Sequence, residues 1–433
     1  MQYKKNNKIY AMKEMSKVKI YIKKSLASII LEKQILSYLH YSLISNLYFA
    51  FQDKDNLYLI LDYLPGGDLR YYINNNCQFT ERQIKFIISN LVLSLKYIHS
   101  NNILHRDIKP ENLIFDEKGY IHLIDFGISR KIRKEKPILE KSGTPGYICP
   151  EILINRPQHF SSDYFSVGVI CYELLMGKKP FRGKNKKAIA EKILYKNIKL
   201  TKKNIPDNYS LDFADFINKL LKRNRKERLG NKNIEEIINH PWLEGVDWTN
   251  IELKLIDNNL IPFTPQVGDN FDANYANRKE NMNMDNYDTY LKRINDSKYF
   301  KNFYFNYFEN LIKEIKSKST LEKTSIAHKY TTATEGIKSN SNESEIRPEY
   351  SDITLINKNI SYNKTTEINN TEQNNLGKES DFPKKAKTNN IKSNTSIKRR
   401  IIGYNKKQLN EMKVDDLFKE YDDKNDNECD NET

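Results

Sequence analysis

The stretch His105-Arg-Asp-Ile-Lys-Pro-Glu-Asn112 decides how the chain can be read. Thirteen residues after Asn112, the sequence Asp125-Phe-Gly127 follows a strand-like run at 120–124. Gly143-Thr-Pro145 and Cys149-Pro-Glu151 come next. Charged and amide side chains thus recur in a fixed order in short segments between apolar runs, which is typical of a site assembled on loops.

Phosphoryl transfer explains these residue types. The attacking hydroxyl needs a carboxylate to accept its proton, which suits Asp107. Two Mg²⁺ ions prefer hard oxygen ligands, which suits Asn112 and Asp125 as metal ligands. Lys109 can place a positive charge beside the moving phosphoryl group. Upstream, Lys13 can pair with the α- and β-phosphates if an acidic residue of the next helix holds it.

The surrounding segments indicate strands first and mostly helices later. Residues 9–13 and 57–62 are apolar runs typical of strands, and Pro65-Gly-Gly67 ends the second run. Residues 80–100 predict a helix, because the apolar residues share one face and Thr80 and Gln83 have the spacing of a capping box. The sequence therefore predicts an α+β chain with two unequal lobes.

The order of these motifs resembles a eukaryotic protein kinase. Ala11-Met-Lys13 resembles the strand that carries the ATP-binding lysine, and Glu32 resembles its acidic partner on the following helix. The resemblance implies that Asp163 braces the catalytic loop and that Arg228 pairs with Glu151. It also implies a buried regulatory spine formed by Leu36, Leu47, His105 and Phe126.

Several segments narrow the resemblance to the AGC group of serine/threonine kinases. Lys109 in the catalytic loop is typical of serine/threonine rather than tyrosine kinases, and Gly66–Ile73 resembles the YANK branch. Residues 261–272 resemble the carboxyl-terminal extension of that group, in which Phe271 would cover adenine. Phe300-Lys-Asn-Phe-Tyr-Phe305 resembles its hydrophobic motif, with Tyr304 where Ser or Thr is usual.

The resemblance also implies a nucleotide site. It identifies Asp62, Tyr63 and Leu64 as the hinge whose backbone binds adenine, with Leu61 as the gatekeeper. The base would lie between Ala11 and Ile114, and Asp68 would contact the ribose. The implied cofactors are ATP and Mg²⁺, with Mn²⁺ as a substitute.

Three carboxylates suggest the kind of substrate. Asp68, Glu111 and Glu173 occupy positions that bind arginines in kinases with basic substrates. We therefore expect protein substrates with basic residues near the Ser or Thr, since such residues are good partners for carboxylates. The alternative is that these are three ordinary surface acids.

A second cluster concerns regulation. Arg106 would normally bind a phosphate on the activation loop, and the usual phosphorylated position corresponds to Glu140. We hypothesise that Glu140 pairs with Arg106 and Arg130 and partly replaces the phosphate. The alternative is that Glu140 faces solvent. Ser142 and Thr144 are further candidate phosphorylation sites, although Thr144 is expected to bond Asp107 and Lys109.

One expected element is missing. A Gly-rich loop should precede the strand lysine, yet only twelve residues precede Lys13 and none forms that motif. Residues 2–5 fit the strand that follows the loop. Either the sequence given starts late, which we favour, or the chain is a weak or inactive kinase that acts as a scaffold.

Composition sets the outer limits. The 433 residues carry a net charge of +15, and 38% are hydrophobic. We expect a kinase domain at 1–245, with a small lobe at 1–62 and a large lobe at 63–245. An AGC-like extension would occupy 246–315. The polar remainder at 316–433 is rich in Asn, Lys and Ser and is expected to be disordered.

Composition and charge also bear on where the protein is located in the cell and on what it binds. No apolar run is long enough for a membrane span, and the four scattered cysteines predict neither disulfides nor a zinc site. We expect a cytoplasmic protein, while the basic stretch 384–407 leaves a nuclear location open. The charge alone would suit binding to nucleic acid or anionic membranes, but no matching motif accompanies it, so nucleic acid is an unlikely partner. The sequence indicates no oligomeric state.

Overall fold

The computed structural model describes residues 1–4, 7–133, 135–257, 261, 263, 265, 287–296 and 299–311. Within them, a small sheet-rich lobe precedes a larger helical lobe, which confirms the predicted α+β class. Phe271, residues 266–286 of the predicted extension and the predicted disordered tail lie outside the described residues, as do the basic stretch 384–407 and Cys429.

A four-stranded antiparallel sheet forms the small lobe. Its strand order is β1-β3-β2-β8, with β1 at Tyr10–Ser16, β2 at Leu47–Gln52, β3 at Asn56–Asp62 and β8 at Phe305–Asn306. Helices α1 (Lys17–Ile22) and α2 (Leu26–Leu36) follow β1 directly. Because Lys13 pairs with Leu59 midway along the ladder between β1 and β3, its side chain projects from a fixed strand.

The large lobe contains the remaining elements. Its short strands are β4 (Ile103–Leu104), β5 (Leu113–Phe115), β6 (Ile121–Leu123) and β7 (Arg130–Lys131), which pair as β4-β7 and β5-β6. Its helices are α3 (Leu69–Asn74), α4 (Glu81–Ser100), α5 (Pro150–Leu153), α6 (Phe160–Met176), α7 (Lys186–Tyr195), α8 (Leu211–Leu220), α9 (Glu235–Ile238) and α10 (Trp248–Glu252). Short 3₁₀ helices lie at Pro110–Asn112, Arg225–Glu227 and Pro241–Leu243.

Helix α4 forms as the sequence predicts. Thr80 accepts from the Gln83 amide at 3.3 Å, and Gln83 reaches back to the Thr80 amide at 2.8 Å, so the capping box is complete. The apolar face, including Ile84, Ile87 and Leu91, is fully buried. This helix leads through β4 into the stretch 105–112, and its burial in the core therefore fixes the start of that loop.

Two segments beyond residue 250 pack onto the lobes. The Phe263 ring lies 4.8 Å from Phe115 and 5.0 Å from Tyr72. Helix α11 (Tyr287–Asp296) packs against α1, and β8 adds to the small-lobe sheet beside β2. The segment that resembles the hydrophobic motif thus lies on the small lobe through β8, whereas Phe263 contacts the large lobe. The assignment of 246–315 as an AGC-like extension stays a prediction.

Two other expectations can be compared with the described part of the chain. Cys77, Cys149 and Cys171 are unpaired thiols there. Among the described residues, no helix is both long enough and apolar enough to cross a bilayer.

Candidate active site

The strand lysine and its expected partner meet in the small lobe. Lys13 Nζ donates to both carboxylate oxygens of Glu32, at 2.8 and 2.9 Å. Burial raises the pKa of Glu32, and the ammonium of Lys13 opposes that shift. Since Glu32 is 3% exposed and the Lys13 side chain 39% exposed, helix α2 holds the ammonium at the mouth of a buried site.

Asp107 is held on two sides by groups that could position a hydroxyl for attack. Its Oδ1 accepts from the amide and the hydroxyl of Thr144, at 3.0 and 2.7 Å. Its Oδ2 accepts from Lys109 Nζ at 2.6 Å, and Lys109 also donates to Thr144 Oγ1 at 2.9 Å. The contacts expected for Thr144 are therefore present.

Asn112 and Asp125, the predicted metal ligands, each retain an oxygen atom that could bind a cation. Asn112 Nδ2 donates to the Asp107 carbonyl at 2.9 Å, so its amide oxygen is the atom that remains for a metal. Asp125 is exposed and has a positive φ of 63°. A backbone strained in this way is typical of functional sites.

The described residues contain no group of three His, Cys, Asp or Glu side chains that could hold a metal ion. That observation agrees with a site of one amide and one carboxylate, because Mg²⁺ is commonly bound by one or two carboxylates together with substrate phosphates. The donor set here therefore fits a metal that arrives with a nucleotide.

The backbone of the catalytic loop is braced from below. Asp163 accepts from the amides of His105 and Arg106, each at 2.9 Å, and from His99 Nε2 at 2.8 Å. Arg106 has a φ of 76°, so these bonds hold a conformation that the residue would otherwise avoid. The expected brace is present, although its partner His99 was not foreseen from the sequence.

The predicted spine side chains share one buried region. Leu36 and Leu47 are 3% and 1% exposed, and His105 and Phe126 are fully buried. The rings of His105 and Phe126 lie 5.1 Å apart in an edge-on contact. The Arg228–Glu151 pair is also present, with Arg228 Nη1 donating at 2.7 Å.

The predicted nucleotide residues line the junction between the lobes. Asp62 uses its carboxylate to accept from Asn46 Nδ2 and Tyr48 OH, both at 2.8 Å, and its backbone N–H donates to the Asn46 carbonyl at 3.2 Å. A backbone contact between this residue and adenine stays a prediction. Leu64 is buried at the following hinge position. Ala11 lies on β1 opposite Leu61.

Ile114 and Asp68 complete the predicted nucleotide set. Ile114 on β5 forms an isolated backbone bridge with Asp68. The Asp68 side chain caps α3 by accepting from the Tyr71 amide at 2.8 Å. Burial raises the pKa of Asp68. Its carboxylate is therefore already committed in part to the helix that it begins.

The remaining two predicted substrate residues are already paired within the chain. Arg70 Nε donates to Glu111 at 2.8 Å, and its Nη1 donates to Glu173 at 3.0 Å. The Tyr147 hydroxyl also contacts both Arg70 and Glu173. The picture of three available carboxylates therefore needs correction, because the guanidinium of Arg70 fills the space between two of them.

The regulatory residues come together as hypothesised. Arg106 Nη1 donates to Glu140 Oε2 at 2.8 Å, and Arg130 Nη2 lies 2.9 Å from the same oxygen. Arg106 also contacts Ser142 Oγ. Although partial burial alone would raise it, the pKa of Glu140 is held below its usual value by Arg106 and Arg130. The alternative, in which Glu140 only faces solvent, does not describe these contacts.

Sequence reasoning missed Arg70 and Tyr147 as members of this site. Arg70 lies 41 residues from Glu111 and 103 residues from Glu173, so no local pattern joins them. The only available signal was its position two residues after Asp68, in the segment that resembles the YANK branch.

Comparison with known proteins agrees with this geometry. The protein kinase domain family matches residues 1–243. A probable serine/threonine-protein kinase of Dictyostelium discoideum is 35% identical over 268 residues, which are 61% of this chain and 58% of the relative. Serine/threonine-protein kinase sgk-1 of Caenorhabditis elegans is 34% identical, over 64% of this chain and 59% of the relative.

A human relative adds to this picture. Ribosomal protein S6 kinase alpha-2 of Homo sapiens is 37% identical over 263 residues, covering 60% of this chain and 35% of the relative. The chain thus spans between 29% and 59% of the curated relatives that it matches. These relatives support the resemblance to the AGC group, while the likeness to the YANK branch stays a prediction. The match over residues 1–243 shows that the chain belongs to the protein kinase family.

Proposed function

We propose that this chain is a serine/threonine protein kinase that transfers the γ-phosphate of ATP to Ser or Thr hydroxyls of proteins. Protein kinases use ATP with a divalent cation, and Mg²⁺ is the ion proposed here, with Mn²⁺ as a substitute. One observation carries the proposal: Asp107 is positioned by both Lys109 and Thr144 beside Asn112.

Each residue has a defined part in this proposal. Asp107 accepts the proton of the attacking hydroxyl, and Lys109 supplies positive charge where negative charge develops. Asn112 and Asp125 would hold the metal, which would neutralise phosphate charge.

The nucleotide contacts involve a second set of residues. Lys13, fixed by Glu32, would bind the α- and β-phosphates. Asp62 and Leu64 would hydrogen-bond adenine, Ala11 and Ile114 would enclose it, and Asp68 would bind the ribose.

The proposed substrates carry a basic residue near the Ser or Thr. Arg70 supports this class, because its bonds show that Glu111 and Glu173 can hold a guanidinium. Arg70 also offsets their charge, so a substrate arginine must compete with it or bind beside it at Asp68. The expected preference for basic residues is therefore smaller than three unpaired carboxylates would produce.

The proposal extends to regulation through Glu140. The side chain of Arg106 is fully buried, and its guanidinium pairs with the carboxylate of Glu140. A fixed carboxylate at this place would order the activation loop without an upstream kinase. Glu carries at most about two thirds of the charge of a phosphate group at pH 7, so the replacement would be partial.

Phosphorylation of a Ser peptide by the full chain tests the activity. Three peptides that differ only in the acceptor residue, Ser, Thr or Tyr, are incubated with radiolabelled ATP and Mg²⁺. We expect label on the Ser and Thr peptides but not on the Tyr peptide. Asp107→Asn should lower kcat by about 10²–10⁴-fold, since it removes the general base. The exposed Glu117→Gln serves as the matched control and should retain activity.

A second measurement separates activity from binding. Mg·ATP should raise the melting temperature of the chain, and Asp125→Ala should remove that shift. A shift without any phosphate transfer would overturn the kinase proposal in favour of the scaffold alternative. If neither the melting shift nor phosphate transfer is seen, the proposed nucleotide site is overturned as well.

A further inference from the structure

The basic charge of the chain is concentrated on one part of the large lobe. Between Lys178 and Lys203 there are eleven Lys or Arg residues and one acidic residue, Glu191. That segment carries +10, whereas the whole chain carries +15. It comprises the loop before α7, helix α7 and the turn after it, and is called here the basic segment. Most of its cations are exposed, so they act on solvent and on approaching molecules.

The basic segment lies against residues 145–147, which directly follow Thr144, the residue that bonds Asp107. Thr144 bonds Asp107, and the next residues, Pro145 to Tyr147, continue toward the basic segment. Lys179 Nζ lies 4.5 Å above the Tyr147 ring. A Cβ added at Gly146 would lie 3.7 Å from the Phe181 carbonyl oxygen, so the two backbones come close to each other at this point.

Helix α7 extends this contact. Pro145 and Ile148 line one small cleft together with Ile189 and Ile193 of α7. Lys192 and Lys196 donate to the carbonyls of Arg182 and Pro180, which fixes the loop before α7 to the helix. An unbroken line of contacts therefore joins the phosphate-transfer site to the basic segment.

Two acids close to Lys179 already have a partner elsewhere in the chain. Glu111 and Glu173 are already paired with Arg70. Burial lowers the pKa of Lys179, and the carboxylate of Glu173 opposes that shift, so Lys179 is close to the same two carboxylates. Two carboxylates thus face two cations. Lys202 of the basic segment also pairs with Asp207 at 3.4 Å, yet the segment still has ten more basic than acidic residues.

We propose that the basic segment binds an acidic stretch of the protein substrate, adjacent to the Ser or Thr that is phosphorylated; this rests on the proposed kinase function. Complementary charge steers association and favours one register over others. A protein substrate is favoured over nucleic acid because the surface continues directly into the loop that Asp107 holds. The substrate would then carry opposite charges on its two sides, basic beside Asp68 and acidic beside the basic segment.

Two peptides with a Ser acceptor test this proposal. Both carry the same basic residues upstream, and six residues downstream are Glu in one peptide and Asn in the other. Binding to the full chain is followed by fluorescence anisotropy at low salt, with Ser replaced by Ala so that turnover plays no part. Several exposed ion pairs at about 0.2–1 kcal/mol each should make the Glu peptide bind about tenfold more tightly. Added salt should reduce this gain.

A charge-reversed surface supplies the decisive comparison. The triple variant Lys178→Glu, Arg182→Glu, Lys184→Glu should lose the tenfold gain and phosphorylate the Asn peptide as before. The matched control, with the same change of charge, is Lys54→Glu, Lys118→Glu, Lys226→Glu, which are exposed lysines outside the basic segment. This control should retain the gain. Equal affinity for both peptides, or a gain that survives in the first variant, would overturn the proposal.

Two other possible ligands of the basic segment predict different results in these experiments. Polyuridylate RNA that binds the segment, while the Glu peptide gains nothing, would reassign it to nucleic acid. If the Glu peptide gains nothing on the unchanged chain but gains affinity once the acids of residues 411–432 are neutralised, the surface belongs to the chain's own tail. Failure of the kinase function is seen separately, as binding of the Glu peptide without phosphorylation of the Ser peptides.

Discussion

Arg70 shows how one side chain can change what a kinase accepts. Its guanidinium is 15% exposed and lies between Glu111 and Glu173, so those carboxylates are not freely offered to a substrate. Bonds between arginine and carboxylate are among the strongest in proteins, and displacing one costs binding energy. The proposed preference for basic substrates should therefore be limited by Arg70 rather than by the number of acids.

Removal of Arg70 should reveal that preference. In Arg70→Ala the two carboxylates lose their partner and gain affinity for a cation of the substrate. We expect the ratio of KM values for peptides without and with an upstream arginine to rise about tenfold, which corresponds to about 1.4 kcal/mol. Steady-state kinetics on the two peptides measure it, with the exposed Arg82→Ala as control. An unchanged ratio would mean that Glu111 and Glu173 do not face the substrate.

Glu140 permits a second residue-level prediction. Glu140→Ala leaves the buried guanidinium of Arg106 without its carboxylate, so the activation loop should lose order. We expect kcat/KM to fall about five- to tenfold, or roughly 1–1.4 kcal/mol, as for loss of one ordinary hydrogen bond, because Glu140 is 55% exposed and its charge is screened. The kcat/KM of Glu140→Gln should lie between those of the unchanged chain and Glu140→Ala, because Gln can keep hydrogen bonds but loses the charge. Exposed Glu135→Ala is the control, and equal activity in Glu140→Ala would argue against a regulatory role.

Among the elements, α4 and β8 show which parts of the fold a sequence can reveal. Helix α4 has twenty residues of apolar periodicity and its own capping box, so its type and start follow from local physics. Strand β8 has two residues and no period. It exists only because β2 offers an unpaired edge, and that is a fact of tertiary structure.

The active site divides in the same way. Asp107, Lys109, Asn112 and Asp125 could be predicted, since they lie in short motifs whose order is itself the signal. The pairing of Arg70 with Glu111 and Glu173 could not, because the chain must close before the three residues meet. The packing of the basic segment against the loop at 145–147 depends on the same closure.

Docking of β8 gives the prediction at this scale. Phe300, Phe303 and Phe305 are 6%, 4% and 6% exposed, and Gln52 donates to the Phe300 carbonyl at 2.6 Å. Phe303→Ala should cost about 3–5 kcal/mol of local packing and release the segment without unfolding the lobes. Phe49 and Ala50 of β2 pair with β8, and hydrogen exchange should then accelerate at whichever of these two amides points toward β8 rather than toward β3.

The matched control lies next to Phe303 in the sequence. Tyr304 is 58% exposed, and its hydroxyl contacts Glu309 at 3.1 Å. Tyr304→Phe removes only that contact and should leave exchange in β2 unchanged. If Phe303→Ala also leaves β2 protected, the aromatic side chains do not hold the strand in place.

At the scale of the whole molecule, ion pairs between distant segments link stability to pH. Glu151 begins the segment after the activation loop, and Arg228 follows α8; both side chains are buried. Burial alone would raise the pKa of Glu151, but Arg228 lowers it to about 2. Below the usual value of about 4.5, the unfolded chain therefore binds more protons at Glu151 than the folded chain does.

The sign of the pH effect follows directly. Stability that comes from this pair is complete above about pH 4.5 and is lost as the pH falls toward about 2. Glu151→Gln removes the titrating group and leaves a buried guanidinium unpaired, which costs about 3–5 kcal/mol. We expect the melting temperature at pH 7 to fall by about 10 °C. The remaining dependence on pH between 4.5 and 3 should be shallower than in the unchanged chain.

Thermal unfolding followed by circular dichroism across this range measures both effects. The control is Glu235→Gln, because Glu235 pairs with Lys96 at 3.2 Å where both side chains are about half exposed. Exposed pairs contribute little, so this variant should melt within about 2 °C of the unchanged chain. Equal slopes in Glu151→Gln and the unchanged chain would place the acid sensitivity in other carboxylates. Asp116 is the first of those to test, since its pKa is also lowered, by His122 and Lys254 against the effect of burial.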